Sequence, residues 1–332
     1  MSNEPLVSNI SQEEMQRAVN IINQIGNYYD QKIVGQKHLK LALLTSFIAN
    51  GHILLESVPG LGKTTAAKVL TNAVSGTFSR IQCTPDLLPS DIIGTQIYNN
   101  QTGKFETQLG PVYANFVLLD EINRSSSKTQ SAMLEAMQEK QVTIGGKLYK
   151  MPDVFIVMAT QNPIEQEGTY ILSEAEQDRF LLKEKIEYPN PLEEFEILNR
   201  IEKDAFTQTP SAVTIEDLKY LQDLCKRVYI DDAIKHYITE IIGATRNSSR
   251  VISKELAQYV EMGSSPRGSI TLMQVSKAIA LINGRSYVIP DDIKTLIFSA
   301  LRHRITLNYA AIADNIQPEA IINAIIGSIR TP

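Results

Sequence analysis

The segment Ser57-Val58-Pro59-Gly60-Leu61-Gly62-Lys63-Thr64 constrains this chain more than any other. It stands between an apolar run, His52 to Glu56, and a stretch from Lys63 to Val74 with Ala66, Ala67, Leu70, Ala73 and Val74 at helical spacing. A glycine-rich turn from strand to helix aims backbone N–H groups and a helix N-terminus at one point, an arrangement that suits a phosphate. Gly60 and Gly62 let the backbone turn and approach closely. Lys63 can then reach β- and γ-phosphates, and the Thr64 hydroxyl can ligand Mg²⁺. The usual pattern begins with glycine, where this chain has Ser57. A serine is harmless there only if its backbone lies at negative φ. The bland alternative is a glycine-rich turn followed by an exposed lysine.

The first half of the chain repeats the strand–helix alternation. Phe78 to Gln82, Asn115 to Leu119, Val154 to Met158 and Leu181 to Ile186 read as further strands, and Lys128 to Lys140 as a helix. Unbroken apolar runs such as Phe116-Val117-Leu118-Leu119 belong to strands covered on both faces. The fold expected is therefore α/β, a P-loop parallel sheet sandwiched by helices. Two insertions interrupt it. Gly94 to Gly110 reads as a hairpin or loop, and Gln141 to Tyr149, with Gly145-Gly146 at its centre, as a hairpin. After Tyr188-Pro189-Asn190-Pro191 the pattern becomes helical throughout, with no further strand. Residues 1–200 are expected to form the α/β domain and 201–332 an all-α lid.

Four further places carry polar chemistry. Asp120 and Glu121 end a buried strand, where carboxylates are costly unless they serve something. Asp120 can hold a Mg²⁺ shell, and Glu121 can polarise an attacking water. Asn162, after the fourth strand, can orient that water or simply cap a turn. Arg179 either pairs with Asp178 or projects into a neighbouring subunit's site. Ser265 suits a helix N-cap and Pro266 the first helical position, so Arg267 falls in the first turn. The helix dipole disfavours a cation there, which a nearby anion would resolve; otherwise Arg267 is a solvated cap residue.

Composition narrows the class. The net charge of −5 removes any global basic field and argues against a nucleic-acid motor. Two cysteines far apart, Cys83 and Cys225, suit a reducing, cytoplasmic setting and neither a disulfide framework nor a zinc site. The N-terminus shows no secretory signal, and no apolar run approaches the roughly 20 residues of a membrane helix.

With these motifs in place, the chain resembles the MoxR-type AAA+ ATPases. The strings VGQKHLKLALL, VPGLGKTT, DEINR, KTQSAMLEAMQE, ATQNPIEQEGTY, EAEQDRF, SPRGSITL and GRSYVIPDDI carry the resemblance across about residues 30 to 305. It implies ATP and Mg²⁺ as cofactors. Pro59, Gly60, Leu61, Gly62, Lys63, Thr64 and Thr65 would form Walker A, with Asp120 and Glu121 as Walker B. Asn162 would be sensor 1, Arg179 the arginine finger and Arg267 sensor 2. Val34 and Gly35 fall where such proteins contact adenine, and Thr64 and Asp120 would meet the metal. The hairpins match the helix-2 and pre-sensor-1 insertions. The resemblance also implies a homo-oligomeric ring, usually a hexamer. Its task would be chaperone-like remodelling or metal-cofactor insertion with a partner carrying a von Willebrand factor A domain. The motor subunit of a metal chelatase is the nearest alternative. Departures from the family are Ser57, Ser125-Ser126-Ser127 and Leu172-Ser173-Glu174.

Overall fold

A computed structural model describes residues 9–58, 60–163, 169–202 and 213–332. Their elements, in chain order, begin with helices α1 (Gln12–Lys32) and α2 (Lys37–Ile48), strand β1 (Ile53–Glu56), helix α3 (Lys63–Asn72) and strands β2 (Val74–Ser75) and β3 (Phe78–Gln82). Helix α4 (Pro89–Ile93), hairpin β4 (Gly94–Asn99) and β5 (Lys104–Leu109), strand β6 (Phe116–Asp120) and helix α5 (Ser127–Glu139) follow. Then come hairpin β7 (Gln141–Ile144) and β8 (Lys147–Lys150), strand β9 (Ile156–Gln161), helix α6 (Glu174–Gln177), strand β10 (Leu182–Lys185) and helix α7 (Pro191–Glu202). The remainder is β11 (Val213–Thr214), α8 (Ile215–Arg227), α9 (Asp232–Arg246), α10 (Lys254–Ala257), β12 (Val260–Met262), α11 (Pro266–Ile282), α12 (Pro290–Thr295), α13 (Ile297–Leu301), β13 (Thr306–Leu307), α14 (Tyr309–Ala313) and α15 (Pro318–Ser328).

Contacts divide the chain into two compact units. One comprises Gln24–Phe180 and Glu184–Leu218, the other Met1–Asn23, Leu181–Lys183 and Lys219–Pro332.

A five-stranded parallel sheet with strand order β10-β1-β9-β6-β3 is flanked by helices. Strand β6 is buried along its whole length, as its apolar run requires. Side chains alternate across the sheet. Val117, Leu119, Val157, Ala159 and Leu54 join Met133, Leu134 and Met137 of α5 in one core. Phe116, on the opposite face, stacks on Phe47 of α2 at 4.9 Å. The same alternation sends Asp120 to Phe116's face. It sends Thr160 there too, because Leu118 pairs with Met158 and Leu119 with Ala159. Both expected hairpins form.

The second unit is mainly helical. Helices α9, α12 and α13 pack on α11 around Ile238, Ile241, Leu272, Val275, Ile279, Leu296 and Leu301, all buried. Three local expectations need correction. The helix from Lys63 stops at Asn72, since Val74–Ser75 instead pairs in parallel with Val213–Thr214. The helical pattern expected throughout the region after Pro191 breaks at Leu296, between α12 and α13, whose φ of −122° leaves the helical region while its side chain is fully buried. The expected absence of strands beyond Pro191 also fails. Besides β11, strand β12 pairs antiparallel with β13, a two-residue match too short to show periodicity.

Candidate functional site

The turn between β1 and α3 enters the helix through two residues that need glycine. Gly60 lies at φ +87° and Gly62 at φ +73°, and a Cβ on either would meet nothing within 4 Å. The turn is thus strained for any other residue yet open on the side where a Cβ would project. Pro59 lies outside the described residues. Ser57 is not among the residues at positive φ, so its Cβ is tolerated. It is buried, and its N–H donates to Gln161 O at 3.3 Å. Lys63 opens α3 and donates from Nζ to Ser57 O at 2.7 Å and to Gln161 O at 3.4 Å. The ammonium is therefore held across the turn by backbone carbonyls of β9 and the loop.

One residue further on, the Thr64 hydroxyl donates to Asp120 Oδ2 at 3.2 Å. Asp120 is buried and also receives Thr160 Oγ1 at 2.8 Å. Arg80, on the neighbouring β3, donates to the same carboxylate from Nε at 3.2 Å and from Nη2 at 2.5 Å. Burial pushes the Asp120 carboxyl up. Hydrogen bonds from Arg80, Thr160 and Thr64 outweigh it and hold the group below the ordinary aspartate range. Asp120 is thus an anion at neutral pH.

Glu121 leaves the strand in the left-handed region, at φ 58° and ψ 53°. That conformation is uncommon for a residue with a Cβ, and it is sustained here by a hydrogen bond from the Glu121 N–H to Thr160 Oγ1 at 2.9 Å. From there the carboxylate meets side chains of β3 and of the turn that follows β6. Its Oε2 accepts from Gln82 Nε2 at 3.2 Å and pairs with Arg124 Nε at 3.1 Å.

Asn162 is buried just after β9, where its carbonyl accepts from Asn123 Nδ2 at 3.4 Å. Arg179 is partly exposed and donates from Nε to Gln138 Oε1 at 3.0 Å, at the end of α5. Arg267 belongs to the other unit. There Ser265 caps α11 by accepting the Arg267 N–H at 3.1 Å, with Pro266 at the first helical position. The turn before it is tight. A Cβ on Gly268 would lie 2.2 Å from Ser264 Oγ, and one on Gly263 would lie 2.4 Å from Thr245 O.

Beside the phosphate-type turn opens a cavity of about 410 Å³, with Val34, Gly60, Leu61, Gly62 and Thr65 in its wall. Gln36 braces it by donating to Leu61 O at 3.2 Å. Gly35 has φ +65°, and a Cβ there would overlap Glu193 Oε1 at 2.3 Å. Sequence reasoning missed several contributors. Tyr188, Pro189, Glu194 and Ile197 complete the cavity wall, although Tyr188-Pro189 reads as a mere boundary marker. Arg80 lies outside every motif, and Thr160 lies within the ATQNPIEQEGTY string without a role being assigned to it. Only strand register brings them to Asp120.

Two departures from the family pattern are accounted for locally. Ser126 caps α5 by accepting the Thr129 N–H at 3.4 Å, and Ser173, before α6, donates its N–H and its hydroxyl to Glu176 Oε2, each at 2.8 Å.

A P-loop sheet with a carboxylate pair at the end of β6, joined to a helical unit, is the architecture of an AAA+ ATPase. The family of ATPases associated with various cellular activities (AAA) matches residues 52–182, and the AAA lid domain matches 253–325. Chaperone MoxR1 of Mycobacterium tuberculosis is 46% identical over 300 residues, 90% of this chain and 79% of that protein. The uncharacterized protein YeaC of Bacillus subtilis is 45% identical over 317 residues, 95% of this chain and 94% of its own. A crystal structure of a Cytophaga hutchinsonii protein provisionally assigned as an ATPase superimposes with a TM-score of 0.90 at 43% identity, covering 97% of this chain and 98% of the other. The chain belongs to the MoxR family of AAA+ ATPases. Among its described residues, no helix is long and apolar enough to cross a membrane.

Proposed function

We propose that this protein hydrolyses ATP with Mg²⁺ and uses the energy to remodel a partner protein in the cytoplasm, with residues 1–200 as the nucleotide-binding domain and 201–332 as the lid. The observation that carries the reading is the Thr64 hydroxyl 3.2 Å from an ionised, buried Asp120, one residue from a P-loop lysine. A hydroxyl and a carboxylate from two elements are hard oxygen donors. They fit a cation that takes its remaining ligands from phosphate and water. Bound there, Mg²⁺ would neutralise charge on the phosphates.

The chain's own residues would do the rest. Gly60, Gly62 and the N-terminus of α3 offer backbone N–H groups to the phosphates. Lys63 would exchange its two carbonyl partners for phosphate oxygens. Val34, Leu61 and Thr65 line the cavity, and with Gly35, next in the chain to Val34, they would contact the adenine. Glu121 would accept the proton of the attacking water, a role favoured by its solvent-facing turn, while Asn162 orients that water. Arg179 would act on the site of a neighbouring subunit, and Arg267 would sense the nucleotide from the lid. That division of labour requires a ring, for which we propose a hexamer. The name of the Mycobacterium tuberculosis relative, a chaperone, supports a protein client. We propose a client or adaptor with a von Willebrand factor A domain.

Two variants test the chemistry. Lys63→Ala should lose ATP affinity, because it removes the cation over the β- and γ-phosphates. Glu121→Gln should keep ATP bound while turnover falls by roughly 10² or more. Wild-type turnover by Glu121→Gln would refute the assignment. The same variant, holding ATP and client together, would retrieve the client in a pull-down.

A further inference from the structure

Arg80 sits where a cation is wanted. On β3 it pairs in register with Leu118, and Gln82 pairs with Asp120. Paired residues project on the same face, and residues two apart on a strand lie about 7 Å from each other. Arg80 therefore shares the face of Asp120, and its long side chain spans the offset. The guanidinium donates twice to Asp120 Oδ2, the oxygen that also receives Thr64. That Thr64–Asp120 pair is the same one that fits the divalent cation.

The two partners differ in what holds them. The Asp120 side chain is 10% exposed and anchored by two threonine hydroxyls, whereas the Arg80 side chain is 52% exposed. Among the described residues, its one further bond runs from Nη2 to Gln82 Oε1 at 3.2 Å. An ion pair with one half-solvated member gains little net energy, and the arginine re-enters water cheaply. A doubly charged ion at the same carboxylate interacts more strongly than a monovalent guanidinium.

We propose that Arg80 is a built-in counter-cation for Asp120, holding the carboxylate in place before nucleotide binds and yielding it to the divalent metal that arrives with nucleotide. The inference rests on the reading of this site as a metal–nucleotide site. Arg80 is a positioning residue here. It competes with the metal, so it sets the metal concentration at which the loaded state forms.

The test is a Mn²⁺ titration of the full-length protein with ADP, followed by the loss of free-Mn²⁺ electron paramagnetic resonance signal. Arg80→Met removes the charge and keeps the aliphatic stem. It should bind Mn²⁺ roughly tenfold more tightly in the presence of ADP, because the metal no longer displaces a cation. ADP affinity in excess chelator should stay unchanged. Arg80→Lys should fall between Arg80→Met and wild type. Arg80→Gln serves in place of Arg80→Met if melting shows that the latter does not fold. Unchanged or weaker Mn²⁺ binding in the neutral variant would overturn the proposal, since a purely structural Arg80 would leave Asp120 less well placed once removed. Asp120→Asn distinguishes the two levels. If wild type binds Mn²⁺ with ADP and Asp120→Asn does not, the site reading stands and only the Arg80 inference is at stake. If the two bind equally, both fall together.

Discussion

The hydroxyl of Thr160 lies 2.8 Å from Asp120 Oδ1 and donates its proton there. Its lone pair accepts the N–H of Glu121 at 2.9 Å. One side chain on β9 thus joins the two carboxylate residues that end β6. It holds the first in place and offsets part of the cost of the second's left-handed backbone. Replacement by valine preserves shape and removes both bonds, leaving a buried carboxylate oxygen and a backbone N–H short of a partner. Thr160→Val should lose about 2 kcal/mol of stability in equilibrium denaturation. Its ATP turnover should fall by about tenfold or more, with ATP binding largely retained. Unaltered turnover would show that the bridge does not position Glu121.

Gly62 separates phosphate binding from folding. A Cβ there meets no protein atom but must adopt φ +73°. Gly62→Ala should cost about 1–2 kcal/mol in stability. Its nucleotide affinity should drop by a larger factor, because the added methyl takes space the phosphates require. Calorimetric melting with and without ATP distinguishes these effects; a full ligand-induced rise in Tm would contradict the prediction.

His52 provides a pH signature of stability. Its ring is buried, with Nε2 3.2 Å from Met137 O and Nδ1 accepting the Val157 N–H at 3.0 Å. Burial pulls its pKa down from 6.5 to about 4, against the opposing pull of the Met137 carbonyl. The unfolded chain takes up a proton as pH falls through 6.5, and the folded chain does not until about pH 4. Stability contributed by neutral His52 is therefore complete above pH 6.5 and declines between 6.5 and 4. The loss should be on the order of 3 kcal/mol at the acid end. His52→Phe should be less stable at neutral pH and show a shallower decline in urea denaturation across this window. An equal slope in both proteins would exclude His52 as the source.

Arg179 tests the assembly. Its Nε is occupied by Gln138 Oε1 on the surface of α5. Arg179→Ala and Lys63→Ala subunits, each inactive alone, should recover partial ATPase activity when mixed. Some interfaces would then pair an intact loop with an intact arginine. Native mass measurement must show mixed rings. Mixed rings without activity would refute action in trans.

Much of this protein was legible without coordinates, and the reasons are local. Gly60 and Gly62 announce a turn that only glycine makes, Lys63 and Thr64 open a helix with clear periodicity, and the apolar run before Asp120 reads as a strand covered on both faces. The Gly145-Gly146 hairpin and the Ser265-Pro266 cap are equally short-range. Short pairings such as β12 with β13, and the break at Leu296, escaped because two or three residues carry no period and burial overrode helical propensity. Tertiary structure alone decided what surrounds the acidic pair. Thr160 and Arg80 lie 40 residues from Asp120 on either side, and Tyr188 and Glu194 reach the cavity from beyond the last sheet strand. Side-chain period and turn chemistry are written into neighbouring residues. Register between strands is not; it is set by how the whole sheet buries its two faces, and it brought an arginine and a threonine to the buried carboxylate of Asp120.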